Sequence, residues 1–424
     1  ASLRAKGWRR ASLPGGRGAH AGEMELGVDE HGRAVPIPCA DATRADGAHT
    51  LVVGATGSGK TVTQTSIAVR AVEQGMSAVV IDPKGDARLR EHLRRAADAE
   101  GRRFIAWSPE GETVYNPYAH GGASEIADKA LAGERYTEPH YLRQAQRYLA
   151  HAVRTLQLAG VEVSLRTIAE CLDPRGLESL ARQLRGEAAD AAFAYLDGLS
   201  SRQHRDLAGV RDRLAILAES DVGRWLDPQT SDAERFDLLG SIRARAVVYF
   251  DLQADGRPLL SEMLGAAIVQ DLQTAVASLQ NRPVPTLVAI DEFSAIASAQ
   301  VVRLFGRARS AGLSLLLGTQ EMSDLRLPGR ERVLEQVLGN LTVLVAHRQA
   351  VPSSAELVSS MAGSRGAWRL SRHSSGASTR VRASERALEP ERVMGLARGW
   401  AAVLVLGDGR PVRLVRVHAR APQR

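Results

Sequence analysis

The first third of the chain alternates short apolar runs with longer stretches in which apolar residues recur every three or four positions. The short runs, at 51–53, 77–82 and 103–107, predict buried β-strands. The longer stretches, at 61–74 and 86–100, have the spacing of helices with one buried face. Strands that alternate with helices indicate a mostly parallel sheet flanked by helices.

This alternation stops in the middle of the chain and returns in the last third. Between about 121 and 240 the strand pattern disappears, and apolar residues at helical spacing predict a run of helices. Strand-like runs then resume at 246–252, 286–290, 313–317 and 341–346. The pattern therefore predicts an α/β fold with a central, mostly parallel sheet and an inserted all-α domain.

A glycine-rich loop follows the first apolar strand and opens the first helix. It consists of Gly54, Ala55, Thr56, Gly57, Ser58, Gly59, Lys60 and Thr61. In such a loop the backbone N–H groups cradle phosphates, the lysine reaches their oxygens, and the final hydroxyl binds Mg²⁺. Lys60 is one of four lysines beside 51 arginines, and a compact ammonium suits this position better than a planar guanidinium.

The loop predicts a P-loop NTPase of the RecA-like type that binds a nucleoside triphosphate. Its nucleotide-binding domain would then consist of two parts, 22–120 and 241–424. The all-α domain at 121–240 would be inserted between them, and 1–21 would form a basic N-terminal flank.

Hydrolysis needs an acidic element at the end of a neighbouring strand, and the run at 286–290 supplies one. Asp291 and Glu292 follow directly. We expect Asp291 to hold Mg²⁺ together with the Thr61 hydroxyl, and Glu292 to polarise the attacking water. Gln320, after the next strand, is expected to face the γ-phosphate. Solvated strand ends are the alternative explanation for these polar residues.

Three arginines precede the strand at 313–317, namely Arg303, Arg307 and Arg309. One of them, for which we choose Arg309, is predicted to reach the nucleotide of a neighbouring subunit as an arginine finger. The alternative is that all three lie solvated on a helix surface. Lys84, at the end of the second strand, is predicted to serve the same sheet edge.

Composition limits the remaining function classes. The net charge of +7 and the pI near 9.8 fit a polyanionic partner without requiring one. Cys39 and Cys171 are too far apart in sequence to indicate a disulfide framework or a zinc site. No apolar run approaches the roughly 18 residues that a membrane span needs. The basic start of the chain is either a cytoplasmic juxtamembrane flank or a basic arm.

One segment near the end of the chain has an unusual composition. Residues 363–386 contain six arginines, one acid and many serines and glycines. This composition favours a flexible, solvated loop. The alternative is a surface that touches phosphates.

The order of the motifs resembles that of the conjugative coupling proteins of type IV secretion, the TraG/TraD class. The matching segments are HTLVVGATGSGKT at 49–61, VVIDPKGD at 79–86, YNPY at 115–118, VAIDEF at 288–293, GLSLLLGTQEMSDL at 312–325 and NLTVLVAHRQAVPSSAELVSSMAG at 340–363. The class belongs to a larger set of hexameric DNA pumps that includes FtsK and HerA.

This resemblance implies an ATP-hydrolysing, Mg²⁺-dependent DNA translocase that assembles as a homo-hexamer. It implies a DNA–relaxase complex and secretion channel components as partners. It also implies a place at the cytoplasmic face of the membrane, held there through an N-terminal region not present in this chain. Two alternatives stay open, namely a nucleotide-regulated receptor for protein cargo and a chromosomal DNA pump of the FtsK or HerA type.

Overall fold

The computed structural model describes residues 22–39, 47–132, 139–229, 233–296, 298–326, 332–372 and 378–419, so the predicted flank at 1–21 lies outside the described residues. The strands are β1 Glu23–Asp29, β2 Ala34–Pro38, β3 Thr50–Val53, β4 Ser77–Asp82, β5 Phe104–Trp107, β6 Thr113–Tyr115, β7 Glu234–Phe236, β8 Val247–Asp251, β9 Thr286–Ile290, β10 Leu313–Thr319, β11 Val343–Ala346, β12 Ser364–Arg372, β13 Ser378–Arg386, β14 Trp400–Val405 and β15 Arg413–Val417. The helices are α1 Lys60–Glu73, α2 Ala87–Ala99, α3 Ala123–Ala130, α4 Pro139–Leu158, α5 Leu165–Cys171, α6 Pro174–Ala181, α7 Glu187–Asp197, α8 Ser201–Ala218, α9 Leu238–Arg243, α10 Pro258–Leu279, α11 Phe293–Ile296, α12 Ser298–Ala308, α13 Val333–Asn340, α14 Pro352–Ala362 and α15 Pro390–Met394.

Eleven of the described strands form one mixed sheet in the order β2-β1-β15-β14-β11-β3-β10-β9-β4-β8-β5. The seven strands from β11 to β5 run parallel, whereas β14, β15, β1 and β2 extend one side of the sheet antiparallel. This arrangement confirms the predicted α/β fold with a central, mostly parallel sheet. Parallel strands covered on both faces are apolar throughout, which is why they stand out as continuous runs in the sequence.

Alternate residues of each central strand belong to two different cores. Along β4, Ala78 and Val80 join a core with α1 and α2, while Val79 and Ile81 join a larger core on the opposite face. The larger core continues into the helical segment, which comprises α3 to α8, and there it includes Tyr148 of α4. None of the helices in the described part of the chain has both the length and the hydropathy that a bilayer span requires.

The helical segment starts and ends beside a small parallel sheet of its own. β6 and β7 pair with each other, and Tyr115 of β6 stacks on Phe236 of β7 with ring centroids 5.3 Å apart. Helices α3 to α8 lie between these two strands in sequence, so the two ends of the segment are held side by side. Among the described residues of 121–240, the strand β7 is the exception to the helices and their connections, and its three residues are too few to give a sequence pattern.

A buried lysine joins the helical segment to helix α10. Lys129 of α3 is 0% exposed, and its ammonium donates to Asp271 Oδ1 of α10 at 2.6 Å. It also donates to two backbone carbonyls, of Pro117 at 3.0 Å and of His120 at 2.6 Å. The Tyr115 hydroxyl donates to the other carboxylate oxygen of Asp271 at 2.8 Å. No sequence pattern singles out this residue.

The prediction of a flexible loop at 363–386 is wrong for most of this segment. β12 and β13 pair antiparallel over nine residues each and form a hairpin. The composition was misleading because strand pairing uses backbone groups, which any residue except proline supplies in full. Residues 373–377, between the two strands, lie outside the described residues.

Candidate active site

The glycine-rich loop connects the carboxyl end of β3 to the first turn of α1. Three backbone hydrogen bonds attach it to other parts of the chain, the first from the Gly54 N–H to the Thr319 carbonyl at 3.3 Å. The Ala55 N–H donates to the Arg348 carbonyl at 3.0 Å, and the Gly399 N–H donates to the Ser58 carbonyl at 2.9 Å. The loop is therefore held in place from both the β11 side and the β14 side before any ligand binds.

Three positions in the loop require glycine. Gly57 and Gly59 have φ angles of 75° and 119°, in the left-handed region that other residues avoid. At Gly54 a Cβ atom would lie 2.6 Å from the His347 Cβ, so the close approach of β11 excludes a side chain. Together these glycines let the backbone curl around a phosphate-sized space at the start of α1.

The structure brings the predicted acidic pair to the loop lysine. Lys60 Nζ donates to Glu292 Oε1 at 2.5 Å and lies 3.5 Å from Asp291 Oδ1. Glu292 itself has a φ angle of 44°, a left-handed conformation that costs a non-glycine residue about 1–3 kcal/mol. This strained turn directs the carboxylate back over the end of the sheet.

The pKa values of the two neighbouring carboxyl groups are shifted in opposite directions. Burial raises the pKa of Asp291, although the Lys60 ammonium offsets part of this effect. Burial also acts to raise the pKa of Glu292, but hydrogen bonds and charges from Lys60, Lys84 and Gln320 outweigh it, and the pKa lies below its ordinary value. The lowered pKa favours the ionised form of Glu292, which a water-polarising group needs.

The VVIDPKGD segment forms a turn that presents a second lysine to the same site. Asp82 builds the turn, because its carboxylate accepts from the Lys84 N–H at 2.9 Å and from the Asp86 N–H at 2.7 Å. The Tyr249 hydroxyl donates to the same carboxylate at 2.6 Å. From this turn, Lys84 Nζ donates to Glu292 Oε1 at 3.1 Å. The sequence places Lys84 at this sheet edge, but only the structure gives its partner.

Gln320 lies at the end of β10, at the sheet edge where the sequence places it. Its Nε2 donates to Glu292 Oε1 at 3.0 Å, and its Oε1 accepts from the Thr56 hydroxyl at 3.3 Å. One oxygen of Glu292 thus receives hydrogen bonds from Lys60, Lys84 and Gln320. Gln320 links this oxygen directly to the glycine-rich loop.

The residues predicted to bind Mg²⁺ fit that role. Asp291 Oδ1 is buried without a hydrogen-bond partner among the described residues, and it lines the same cleft as Thr61. No cluster of three histidine, cysteine, aspartate or glutamate side chains occurs in the described ranges. A magnesium ion in a phosphate site needs only one or two protein ligands, because phosphates and waters supply the others.

Arg309 does not lie near this cleft. It precedes β10, at the edge opposite to Gln320, and the seven residues of β10 separate the two by about 20 Å. Its guanidinium donates to the Asn340 carbonyl at 3.0 Å and to the Thr342 hydroxyl at 3.2 Å. Within its own chain Arg309 cannot reach the loop, so the predicted finger would have to serve another subunit.

One cleft contains Thr56, Lys60, Thr61, Lys84, Asp291, Glu292 and Gln320. Arg398, in the turn before β14, lines the same cleft, and the sequence analysis missed it. It belongs to no motif. The antiparallel pairing of β14 with β11 and the hydrogen bond from neighbouring Gly399 to the loop bring it there. The cleft therefore has basic groups on two sides and acidic groups at its floor.

The chain matches a family model described as the type IV secretion-system coupling protein DNA-binding domain over residues 34–396. No curated protein sequence matches it.

Several solved structures have a similar fold. The bacterial conjugative coupling protein TrwBdeltaN70 is 21% identical with a TM-score of 0.67, over 95% of this chain and 90% of that one. The plasmid coupling protein TrwB in complex with ADP and Mg²⁺ is 20% identical with the same TM-score and coverage. VirB4 of Thermoanaerobacter pseudethanolicus is 15% identical with a TM-score of 0.61, over 96% of this chain and 99% of that one. At these identities the similarity establishes a shared fold.

Proposed function

This chain belongs to the family of type IV secretion-system coupling proteins, and from that premise we propose that it is an ATP-driven DNA motor of conjugation. It hydrolyses ATP, receives a DNA–relaxase complex at the cytoplasmic face of the membrane, and passes it to a secretion channel. The observation that carries this proposal is the convergence of Lys60, Lys84 and Gln320 on one oxygen of Glu292 beside the glycine-rich loop.

In the proposed reaction, the loop backbone and Lys60 bind the phosphates of ATP, and Glu292 polarises the attacking water. Lys60 must release Glu292 to reach the phosphates, while Lys84 and Gln320 keep the carboxylate in position. Thr61 and Asp291 would hold Mg²⁺, which neutralises charge that develops on the phosphate oxygens. The solved complexes of TrwB with ADP and Mg²⁺, and with a non-hydrolysable ATP analogue, support this assignment.

Steady-state ATP hydrolysis with and without DNA tests the proposal. Glu292→Gln keeps the size and hydrogen bonding of the side chain but removes its charge, so we expect kcat to fall about 10²–10⁴-fold with nucleotide binding retained. Glu335→Gln, at an exposed position on α13, is the matched control and should keep full activity. Unstimulated hydrolysis in the presence of DNA, or full activity of Glu292→Gln, would contradict the motor function.

We propose that identical subunits assemble into a hexameric ring, in which Arg309 has its function between subunits. Because Arg309 is remote from its own cleft, it would act on the ATP of a neighbour. Arg309→Ala and Glu292→Gln should each inactivate the protein. Mixing the two variants should restore part of the activity, since some interfaces then combine an intact Glu292 with an intact Arg309.

The same mixing experiment separates this arrangement from its rival. If Arg309 merely stabilises its own fold through Asn340 and Thr342, Arg309→Ala lowers the melting temperature and no mixture regains activity. Glu292→Gln mixed with Lys60→Ala is the control, because both changes affect the same cleft and complementation is not expected.

A further inference from the structure

The β12–β13 hairpin concentrates positive charge that the proposed ATP site does not use. Residues 363–386 contain a single acid, Glu385. The arginines of this segment are Arg365, Arg369, Arg372, Arg380, Arg382 and Arg386. Six guanidinium groups exceed this acid and Glu356 of α14, which pairs with Arg386, so the hairpin carries a local positive charge.

The strand register divides these residues between the two faces of the hairpin. β12 and β13 pair without a shift, with Trp368 opposite Arg382. Successive residues of a strand point to opposite faces, and directly paired residues share a face. Arg372, Arg380 and Arg382 therefore belong to one face, and Glu385 belongs to the other. Arg380 and Arg382 are spaced about 6.8 Å apart along their strand.

The base of the hairpin is fixed to the body of the protein. Arg386 pairs with Glu356 of α14 at 2.7 Å and donates to the Ser359 hydroxyl at 3.2 Å. Further along the same face, Arg382 is exposed, and a Cβ atom at Gly366 would lie 3.1 Å from its Nε. Arg386 thus anchors the hairpin, whereas Gly366 leaves room for the Arg382 guanidinium on the surface.

Several exposed arginines in other parts of the chain have carboxylates on their own helices. Examples are Arg94 with Asp98, Arg95 with Glu91, and Arg182 with Glu178. Such i,i+4 pairs make a mixed, solvated surface with little net field. The hairpin face has cations at several register positions and no acid, which complements a polyanion instead.

We propose that the hairpin face that carries Arg372, Arg380 and Arg382 contacts the phosphate backbone of DNA. This inference rests on the proposed function, in which DNA is the cargo. Guanidinium groups bind phosphates through paired N–H donors. Contacts to phosphates carry no sequence information, which suits a protein that must move DNA of any sequence.

Binding of a fluorescent duplex and a fluorescent single strand, measured by anisotropy at several salt concentrations, tests the inference. Each phosphate contact contributes about 0.9 to the slope of log K against log salt on duplex DNA and about 0.7 on a single strand. The triple change Arg372→Gln, Arg380→Gln and Arg382→Gln should make the duplex slope shallower by about 2–3 and weaken binding about tenfold or more.

A control with the same change in net charge is Arg94→Gln, Arg95→Gln and Arg182→Gln, which should keep the wild-type slope. Basal ATP hydrolysis should be unchanged in both triple variants, which also verifies their folding. Wild-type slope in the hairpin variant would overturn the inference and leave the DNA motor intact. Altered self-assembly by light scattering with unchanged DNA binding would also overturn it, because the hairpin would then be a subunit contact.

A different result separates failure of the proposed function from failure of the inference. If wild-type protein shows no salt-dependent binding to either DNA, the proposed function fails, and the hairpin assignment fails with it. If wild-type protein binds and only the control variant loses affinity, the phosphate contacts lie elsewhere on the molecule. The hairpin assignment is then wrong, although the motor function stands.

Discussion

Lys60 and Lys129 both pair with a carboxylate, but their surroundings differ. Lys60 lines a cleft and lies 2.5 Å from Glu292, a residue that also receives hydrogen bonds from two other side chains. Lys129 is completely buried, and its three N–H donors have three acceptors, the Asp271 carboxylate and two backbone carbonyls. The same chemical pair therefore occurs once beside solvent and once in a sealed core.

The difference shows which pair can change partners. Glu292 keeps two hydrogen-bond donors when Lys60 moves away. Lys60 can therefore bind phosphates without leaving the Glu292 carboxylate uncompensated. Among the described residues, the Tyr115 hydroxyl is the one side-chain donor to Asp271 besides Lys129, and burial raises the pKa of Asp271. Loss of Lys129 would strand this carboxyl in the core. The exchangeable Lys60–Glu292 pair suits catalysis. The fixed Lys129–Asp271 pair suits the connection between the helical segment and α10.

The largest expected effect is a difference in the free energy of unfolding between variants of the two lysines. Lys129→Met removes one partner of a buried ion pair, so we expect the free energy of unfolding to fall by about 3–5 kcal/mol. Chemical denaturation of the nucleotide-free protein measures it. Lys60→Met should cost clearly less, because Glu292 keeps the hydrogen bonds from Lys84 and Gln320.

A double variant tests whether the loss comes from the stranded charge. Lys129→Met combined with Asp271→Leu removes both charged groups and should recover much of the stability lost in the single variant. Equal stability losses in Lys129→Met and Lys60→Met would show that the sealed and open sites do not differ, and the comparison would fail.

A smaller effect is expected within the cleft. Lys84→Met removes one of the donors that keep Glu292 in place when Lys60 binds phosphate. We expect kcat for ATP hydrolysis to fall about tenfold, equivalent to about 1.4 kcal/mol, with KM for ATP changed little. Steady-state kinetics on purified variants measures both constants.

Two further variants distinguish positioning from general loss of charge. Lys84→Arg keeps a donor that can reach Glu292 and should recover most of kcat. Arg88→Met removes an exposed cation from the start of α2, close in sequence, and should leave both constants unchanged. A rise in KM with unchanged kcat for Lys84→Met would instead make Lys84 a nucleotide-binding residue.

The sequence was sufficient to predict the central sheet and the edge at which the polar residues meet. Strand β9 occupies the predicted run 286–290, and Asp291 and Glu292 follow it at the edge shared with Gln320. This succeeds because buried parallel strands are apolar throughout and end at a common edge. The remote position of Arg309 also follows from chain order, since Arg309 precedes β10 and Gln320 follows it.

Other features depend on contacts that sequence patterns do not encode. Arg398 reaches the cleft because β14 pairs antiparallel with β11 and Gly399 hydrogen bonds to the glycine-rich loop. Lys129 and Asp271 are 142 residues apart, and neither belongs to a pattern that pairs them. The β12–β13 hairpin was missed because its composition is that of solvated loops and its pairing is made by backbone groups.

The β6–β7 pair has a consequence for how the family can diversify. Because the start and end of the helical segment lie side by side, the segment is topologically a single large loop on an otherwise continuous sheet. The entropy of closing a loop grows only with the logarithm of its length, about 0.6 kcal/mol for each doubling. Helices can therefore be added, lost or exchanged between residues 121 and 229 without altering strand order at the ATP cleft. In the proposed motor, the surface of this segment can therefore diverge while the geometry of the cleft is kept.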